Sequence, residues 1–370
     1  MPGKEKKIRV LICDDSAFLR VTLRRIIESD PGIGVIDIAR NGEEAIEKAI
    51  RLKPDVIAMD LHMPLVDGLT ALKDIVRLKI APVIMLSAVT TEAAPAAVEA
   101  MEAGAFDFIP KTDEIDSMDI HSAAIIRKIK QAAVSDIYGK MKMDVDDVNP
   151  PASSAAPPKS SAIGGQGFKA VALGLSTGGS LSIFKVLPQL PAGLNAAVIV
   201  VQHMPPAFIS TFIQRLNRRT AMECVESEAG MRVESQKIYI AKGGYHLKLV
   251  QPPNSDIMIR QSKEPRHTFM PSVDVTMHSV CDIFGPDTIG VLMTGMGQDG
   301  ADAMARITRV GGTTIAESEE TAVVFGMPRE AIKRGGVQHV VPNWAIAHEI
   351  IKAVHKSRKG TQRNTKTAGV

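Results

Sequence analysis

Residues 9–15 read Arg9-Val10-Leu11-Ile12-Cys13-Asp14-Asp15, a short apolar run that stops on two adjacent acids. A continuous apolar run of this length suits a strand buried on both faces, and the acids mark where it emerges. Working outward, comparable runs occur at Val35–Ala39, Asp55–Met59, Pro82–Leu86 and Phe106–Ile109. Amphipathic segments such as Ala17–Glu28, Glu43–Arg51 and Glu92–Ala103 separate them. Strands alternating with helices imply a parallel sheet covered on both faces. Beyond residue 140 the composition shifts to Asn149-Pro150-Pro151, Ser153-Ser154-Ala155-Ala156-Pro157-Pro158 and Gly164-Gly165-Gln166-Gly167, which offers little to a core. Alternation then resumes with the apolar runs Ala170–Leu175, Ala196–Val201 and Thr288–Met293. Lys237–Ile240 and His246–Val250, joined through Gly243-Gly244, read as a hairpin insert. The expected fold class is α/β twice over: an N-terminal doubly wound five-stranded parallel domain (1–135), a flexible linker (136–167), a C-terminal α/β domain with a mostly parallel sheet (168–355) and a basic flexible tail (356–370).

The 370 residues are 45% hydrophobic and 23% charged, enough for two cores. A net charge of +3 is too weak to argue for nucleic acid or a membrane surface. Cys13, Cys224 and Cys281 are odd in number and far apart, against a disulfide framework or a zinc site and in keeping with a reducing cytoplasm. The Lys-rich start runs at once into the short stretch Ile8 to Cys13, too short for a signal-peptide core or a membrane span.

Asp14 and Asp15 follow the first expected strand, and Asp60 follows the third. Ser87 ends the fourth and Lys111 follows the fifth. Carboxyl ends of parallel strands form the ligand crevice of an open sheet. Three carboxylates there repel one another unless a hard cation such as Mg²⁺ shares them. Acids and a lysine also solvate strand ends without any function, but five such groups at matched ends favour a site. These residues, with Met59-Asp60-Leu61-His62-Met63-Pro64, Asp67-Gly68 and Phe108, resemble the receiver domains of two-component signalling. The resemblance implies that Asp60 accepts phosphate from a histidine kinase, that Asp14, Asp15 and Asp60 bind Mg²⁺, that Lys111 pairs with the phosphoryl group, and that Ser87 and Phe108 are the switch pair. Thr112 follows Lys111 where the family usually has proline.

The second constellation begins at Gly174-Leu175-Ser176-Thr177-Gly178-Gly179. It satisfies G-x-S-x-G, a sharp strand-to-helix turn that exposes a serine hydroxyl. The competing reading is a glycine-rich turn with serine as helix cap. A phosphate-binding loop is disfavoured, because Ser180 stands where its lysine would be. His203, at the end of the strand Ala196–Val201, is placed to act as general base, although a lone histidine is more often a polar residue at a sheet edge. Thr294-Gly295-Met296-Gly297-Gln298-Asp299-Gly300 reads two ways. Gly295, Gly297 and Gly300 fit a dinucleotide fingerprint with Glu317 or Glu319 as its ribose acid, an oxidoreductase reading in which Asp299 would repel the pyrophosphate. In the other, Asp299 orients His203, and the backbone N–H groups of Thr177 and Met296 hold an oxyanion.

The order Ser176, His203, Asp299 is not that of α/β-hydrolases. It resembles the catalytic domain of chemotaxis protein-glutamate methylesterases, the CheB type, together with Gln202-His203-Met204-Pro205, Pro271-Ser272-Val273-Asp274 and Phe325-Gly326-Met327-Pro328-Arg329-Glu330. Leu175 departs from the small residue frequent in that family. The resemblance implies a phosphorylation-regulated serine esterase of chemotactic adaptation. Its substrates would be methyl-accepting chemotaxis receptors and its phosphodonor a chemotaxis kinase; receptor glutamines would be deamidated as well. No cofactor is expected for ester hydrolysis. A third possibility is a non-catalytic response regulator. Ser272 is expected as the cap of a helix over Val273–Ile283 whose face Met277, Val280, Cys281 and Phe284 is core. Arg266 and His267 are either residues of the substrate mouth or ordinary loop residues.

Overall fold

The computed structural model describes residues 6–111, 115–142 and 167–356. Thr112 and most of the expected linker and tail lie outside them. The N-terminal domain runs β1 (Ile8–Cys13), α1 (Ala17–Glu28), β2 (Ile33–Ala39), α2 (Gly42–Leu52), β3 (Val56–Asp60), α3 (Gly68–Arg77), β4 (Val83–Ala88), α4 (Ala94–Glu102), β5 (Asp107–Lys111), α5 (Ile115–Val134) and α6 (Ile137–Lys142). The strands form one parallel sheet in the order β2-β1-β3-β4-β5. Capping fixes the helix starts: Ser16, Asn41 and Asp67 each accept an N–H from the first turn of the helix that follows. Helix α6 occupies the first residues of the stretch expected as linker, with Ile137 buried and Tyr138 bonded to the Ala81 carbonyl.

The C-terminal domain runs β6 (Lys169–Leu175), α7 (Gly179–Val186), β7 (Ala196–Gln202), α8 (Pro206–Asn217), β8 (Glu223–Glu226), β9 (Lys237–Ile240), β10 (His246–Val250), β11 (Met258–Ser262), α9 (Val273–Phe284), β12 (Thr288–Leu292), α10 (Ala301–Arg309), β13 (Thr313–Glu317), α11 (Met327–Lys333), β14 (His339–Val341) and α12 (Asn343–His355). Seven strands form a parallel sheet in the order β14-β13-β12-β6-β7-β9-β8. The expected hairpin is corrected: β9 lies in this sheet between β7 and β8, and β10 pairs antiparallel with β11. Ile238, Tyr239 and Ile240 are all buried, so β9 is covered on both faces as a sheet-interior strand must be. The chain leaves β6 toward β7 on one side and returns to β12 on the other. The crevice between β6 and β12 is therefore the topological switch point, where open parallel sheets place ligands.

The domains pack together. Ala94, Ala97, Val98 and Met101 of α4 share one apolar cluster with Phe208, Ile209 and Phe212 of α8. The small alanines let the helices approach closely. Arg215 on α8 closes the rim, 2.8 Å from Glu102 and 3.2 Å from Glu99. Val323 and Val324 join the other apolar cluster of the first domain.

Candidate active site

Ser176 follows β6 at the turn into α7. Gly178 takes φ +76°, and a Cβ there would sit 2.4 Å from the Cβ of Val323, so the turn requires glycine. At Gly295 a Cβ would lie 2.9 Å from the Cβ of Ser176, which explains glycine in the facing loop. His203 follows β7, the neighbouring strand, and its N–H donates to the Leu175 carbonyl at 3.1 Å. Asp299 comes from the loop after β12, on the other side of β6. The fold brings the three expected residues together: Ser176, His203 and Asp299 line one cavity of about 690 Å³.

His203 Nε2 lies 3.0 Å from Asp299 Oδ2. Its Nδ1 is buried and has no hydrogen-bond partner. With Nε2–H donated to the carboxylate, Nδ1 carries the lone pair able to take a proton. Phe269 stacks on the imidazole, ring centroids 4.4 Å apart. Nothing in the sequence marked Phe269; a stack between distant loop residues has no local signature.

Asp299 is held at the start of α9. Val273 N–H donates to Oδ2 at 2.7 Å and Asp274 N–H to Oδ1 at 2.9 Å. Ser272 both caps α9, accepting from Val275 N–H, and donates its hydroxyl to Asp299 Oδ1 at 2.8 Å. Burial pushes the Asp299 carboxyl up, but His203 and the Asp274 and Val273 N–H groups outweigh it and hold the group at about 2. Asp299 is thus a fixed anion. The rest of the α9 face is core as expected, with Met277, Val280, Cys281 and Phe284 buried. His267 lines the cavity and Arg266 is exposed outside its lining.

Thr177 and Met296 both border the cavity. Among the described residues, neither backbone N–H is spent on a backbone partner. Of the two acids in the dinucleotide reading, Glu317 is not free to meet a ribose, because it is fully buried and accepts the Thr294 N–H at 2.8 Å.

The first domain supplies one wall of the same cavity through Asp107, Phe108, Ile109, Pro110 and Lys128. Asp107 Oδ2 accepts the Thr177 hydroxyl at 2.7 Å in a buried bond between domains. Lys128 meets Asp107 Oδ1 at 3.0 Å and donates to the Phe108 carbonyl at 2.7 Å. The Phe108 ring packs edge-on against Phe208 with centroids 5.5 Å apart.

At the other end of β5, Lys111 Nζ lies 2.9 Å from Asp14 and 2.7 Å from Asp60. Carboxylate oxygens of Asp14, Asp15 and Asp60 lie within 4.8 Å of one another, with Asp14 and Asp60 buried and Asp15 exposed. Asp14 Oδ2 makes no aligned hydrogen bond, only the ion-pair contact with Lys111. Burial pushes the Asp60 carboxyl up against the opposing pull of Lys111. The Ser87 hydroxyl is turned to the Ala88 carbonyl at 3.0 Å.

Comparison with known proteins agrees with this geometry. Residues 10–123 match the response regulator receiver domain and residues 171–350 match CheB methylesterase. The protein-glutamate methylesterase/protein-glutamine glutaminase 3 of Syntrophomonas wolfei is 48% identical over 355 residues, covering 94% of this chain and 100% of that one. This chain belongs to the CheB methylesterase family. The methylesterase is 43% identical to the corresponding enzyme 2 of Carboxydothermus hydrogenoformans, over 94% and 99% of the two chains. It is 40% identical to that of Pyrococcus abyssi, over 97% of each. Among the described residues of the methylesterase, no helix is long and apolar enough to cross a membrane.

Proposed function

We propose that this methylesterase is a cytoplasmic serine hydrolase that removes methyl groups from glutamyl esters of chemotaxis receptors and is controlled by phosphorylation of Asp60. The observation that carries the chemistry is the buried His203–Asp299 pair, with an unpartnered Nδ1, in the cavity that Ser176 lines. Ser176 Oγ attacks the ester carbonyl and its proton passes to His203 Nδ1. The oxyanion is held by the Thr177 and Met296 N–H groups, and Asp299 stabilises the imidazolium. The C–O bond to the methoxy group breaks, and methanol leaves with the proton from His203. Water, deprotonated by the same histidine, then releases glutamate and restores Ser176. With a glutamine side chain the leaving group is ammonia, which is the glutaminase reaction of the relatives' names.

Control is carried by β5. Asp107 and Phe108 at its start wall the catalytic cavity, and Lys111 at its end sits among Asp14 and Asp60. Five residues of strand span only about 13 Å, so both events act on one rigid element. The residues fit Mg²⁺: a compact oxygen cluster in which Asp14 Oδ2 lacks an aligned donor. Asp14 and Asp15 would hold it beside Asp60, and when bound it neutralises charge on the incoming phosphoryl group. Phosphate on Asp60 draws Lys111 and the Ser87 hydroxyl toward it, shifts β5 and weakens the packing of Phe108 on Phe208. A chemotaxis kinase is the proposed phosphodonor. Methanol release from methylated receptor membranes, measured with and without a small-molecule phosphodonor, tests the whole reading. No release under either condition rejects the substrate class.

A further inference from the structure

The two oxyanion donors come from different strands, Thr177 from the turn after β6 and Met296 from the loop after β12. Their separation depends on what ties these strand ends together. Thr294 does so. Its carbonyl accepts the Ser176 N–H at 3.0 Å, and its hydroxyl donates to the Thr177 carbonyl at 2.9 Å. The same hydroxyl accepts the Val324 N–H at 2.9 Å, which fixes the segment that clasps Gly295.

What holds Thr294 is a side chain. The β12–β13 ladder ends at the pair Leu292–Ala316. Two residues further along, the Thr294 N–H has no strand to bond and is donated to Glu317 Oε2 at 2.8 Å. Glu317 Oε1 accepts the Thr321 hydroxyl at 3.0 Å and the Ser182 hydroxyl of α7 at 3.3 Å. Thr321 in turn accepts the Asn343 N–H at 3.0 Å. One fully buried carboxyl group therefore joins the end of β12, the helix after the nucleophile and the start of α12. Glu317 does not line the catalytic cavity, so it neither binds substrate nor exchanges protons with it. Burying an acid is costly, and burial pushes this one up from the ordinary glutamate value. An apolar residue would fill the space but leave the Thr294 N–H unpaired.

We infer that Glu317 is a positioning residue for ester hydrolysis, acting through Thr294 to set the spacing of the Thr177 and Met296 N–H groups around the oxyanion. The inference rests on Ser176 as nucleophile and on those two donors. It goes beyond them in assigning Glu317 and Thr294 to catalysis. A misplaced oxyanion hole weakens transition-state binding and leaves ground-state binding alone, so the loss falls on kcat.

The test uses the full-length chain with a saturating phosphodonor and methylated receptor membranes. Glu317→Ala is expected to lower kcat by about 10- to 100-fold with KM within about twofold, the scale of a misplaced reacting geometry. Glu317→Gln restores most of that loss, because its amide oxygen still accepts the Thr294 N–H and the Thr321 and Ser182 hydroxyls can turn to accept from its NH₂. Thr294→Val keeps the backbone bonds and loses the hydroxyl, and it lowers kcat in the same way. The double variant Glu317→Ala/Thr294→Val loses less than the product of the two, because both act through one link. Should Glu317→Ala fail to fold, Thr294→Val and Glu317→Gln decide alone. Wild-type kcat in Thr294→Val, or equal losses in Glu317→Gln and Glu317→Ala, overturns the inference. So does a loss confined to KM. Ser176→Ala is measured alongside. If it keeps activity, the underlying assignment has failed; if it is dead while Thr294→Val and Glu317→Ala are normal, only this inference has.

Discussion

Both domains place their chemistry at the carboxyl ends of parallel strands, yet the two sites are built on opposite plans. The receiver site keeps an exposed edge at Asp15 and sets three carboxylates against the single Lys111 ammonium, an excess of negative charge that an added cation would relieve. Its reagents are small and come from solvent. In the esterase site the side chains of His203 and Asp299 are 7% and 3% exposed, and the receiver itself forms one wall of their cavity. Its charges are already satisfied, with Asp299 anchored by α9 and His203. An incomplete site responds to a ligand, whereas a complete site responds only to being uncovered. On the proposed control, that difference is what lets the first govern the second.

The sharpest way to break this contrast is to empty the complete site. Ser176→Ala should lower methanol release by about 10⁴-fold or more, as loss of a triad nucleophile does elsewhere. Phosphorylation of Asp60 should be unaffected, because no bond of the acid cluster reaches Ser176. A mutant that keeps substantial activity, or that no longer accepts phosphate, would show that the sites are not separable in this way.

Asp299→Asn comes next. The anion that stabilises the imidazolium is lost, and an NH₂ group faces N–H donors of α9. A drop on the order of 10³-fold in kcat is expected; a few-fold drop would make Asp299 a helix anchor only. Acid stability gives a second readout. The folded carboxyl titrates at about 2, below its ordinary 3.8, so its stabilisation is present above 3.8 and lost as pH falls toward 2. Wild type should therefore lose more stability than Asp299→Asn across that window in acid-unfolding curves.

The same contrast accounts for what the sequence disclosed. The receiver site was legible because each member ends an adjacent strand, so order along the chain maps onto position in space. Ser176 and His203 were legible for the same reason. Asp299 was ambiguous, since Gly295, Gly297 and Gly300 also fit a dinucleotide fingerprint. The contact with His203 and the bonds to α9 favour the triad reading, and the latter join residues 25 to 27 apart. The misplaced hairpin has a similar origin. Gly243-Gly244 is a plausible turn, but the pairing of β9 with β7 and β8 is long-range, and three consecutive buried side chains were the better signal. Phe269 and Asp107 were out of reach as site residues, because each matters through a partner from another segment; Glu317 was marked only as a ribose acid, not for its bond to the Thr294 N–H.

Uncovering the complete site should have a moderate effect. A tenfold shift in the docked population needs about 1.4 kcal/mol. The phosphodonor is expected to raise the full-length rate by about that factor, and Asp60→Asn should abolish the response while staying folded. A fragment from about residue 160 onward should start near the stimulated rate. Equal rates for fragment and unphosphorylated chain on a soluble ester would mean that the receiver recruits the enzyme to its kinase and does not cover it.

The smallest effect expected is at the rim of the interface, and it asks which contacts hold the cover down. Arg215 bridges Glu102 and Glu99, and Arg219 also reaches Glu102 at 3.2 Å. Rim ion pairs contribute about 0.5–1 kcal/mol, and solvent screens the Arg215–Glu102 pair only in part, its side chains being 21% and 11% exposed. Arg215→Ala should therefore raise the unphosphorylated rate only about two- to fivefold, by the same conversion of free energy to population. Added salt should mimic it in wild type and do less in the variant. The apolar seam of α4 on α8, the Phe108–Phe208 contact and the buried Asp107–Thr177 bond are untouched by this change. On the proposed control, β5 pulls on the last two when Asp60 is phosphorylated, and not on the rim pairs. If Arg215→Ala raised the rate as much as the phosphodonor and removed its effect, docking would be held by charge at the rim. The route from Asp60 through β5 would then have to give way to one through α4, whose Glu99 and Glu102 make those pairs.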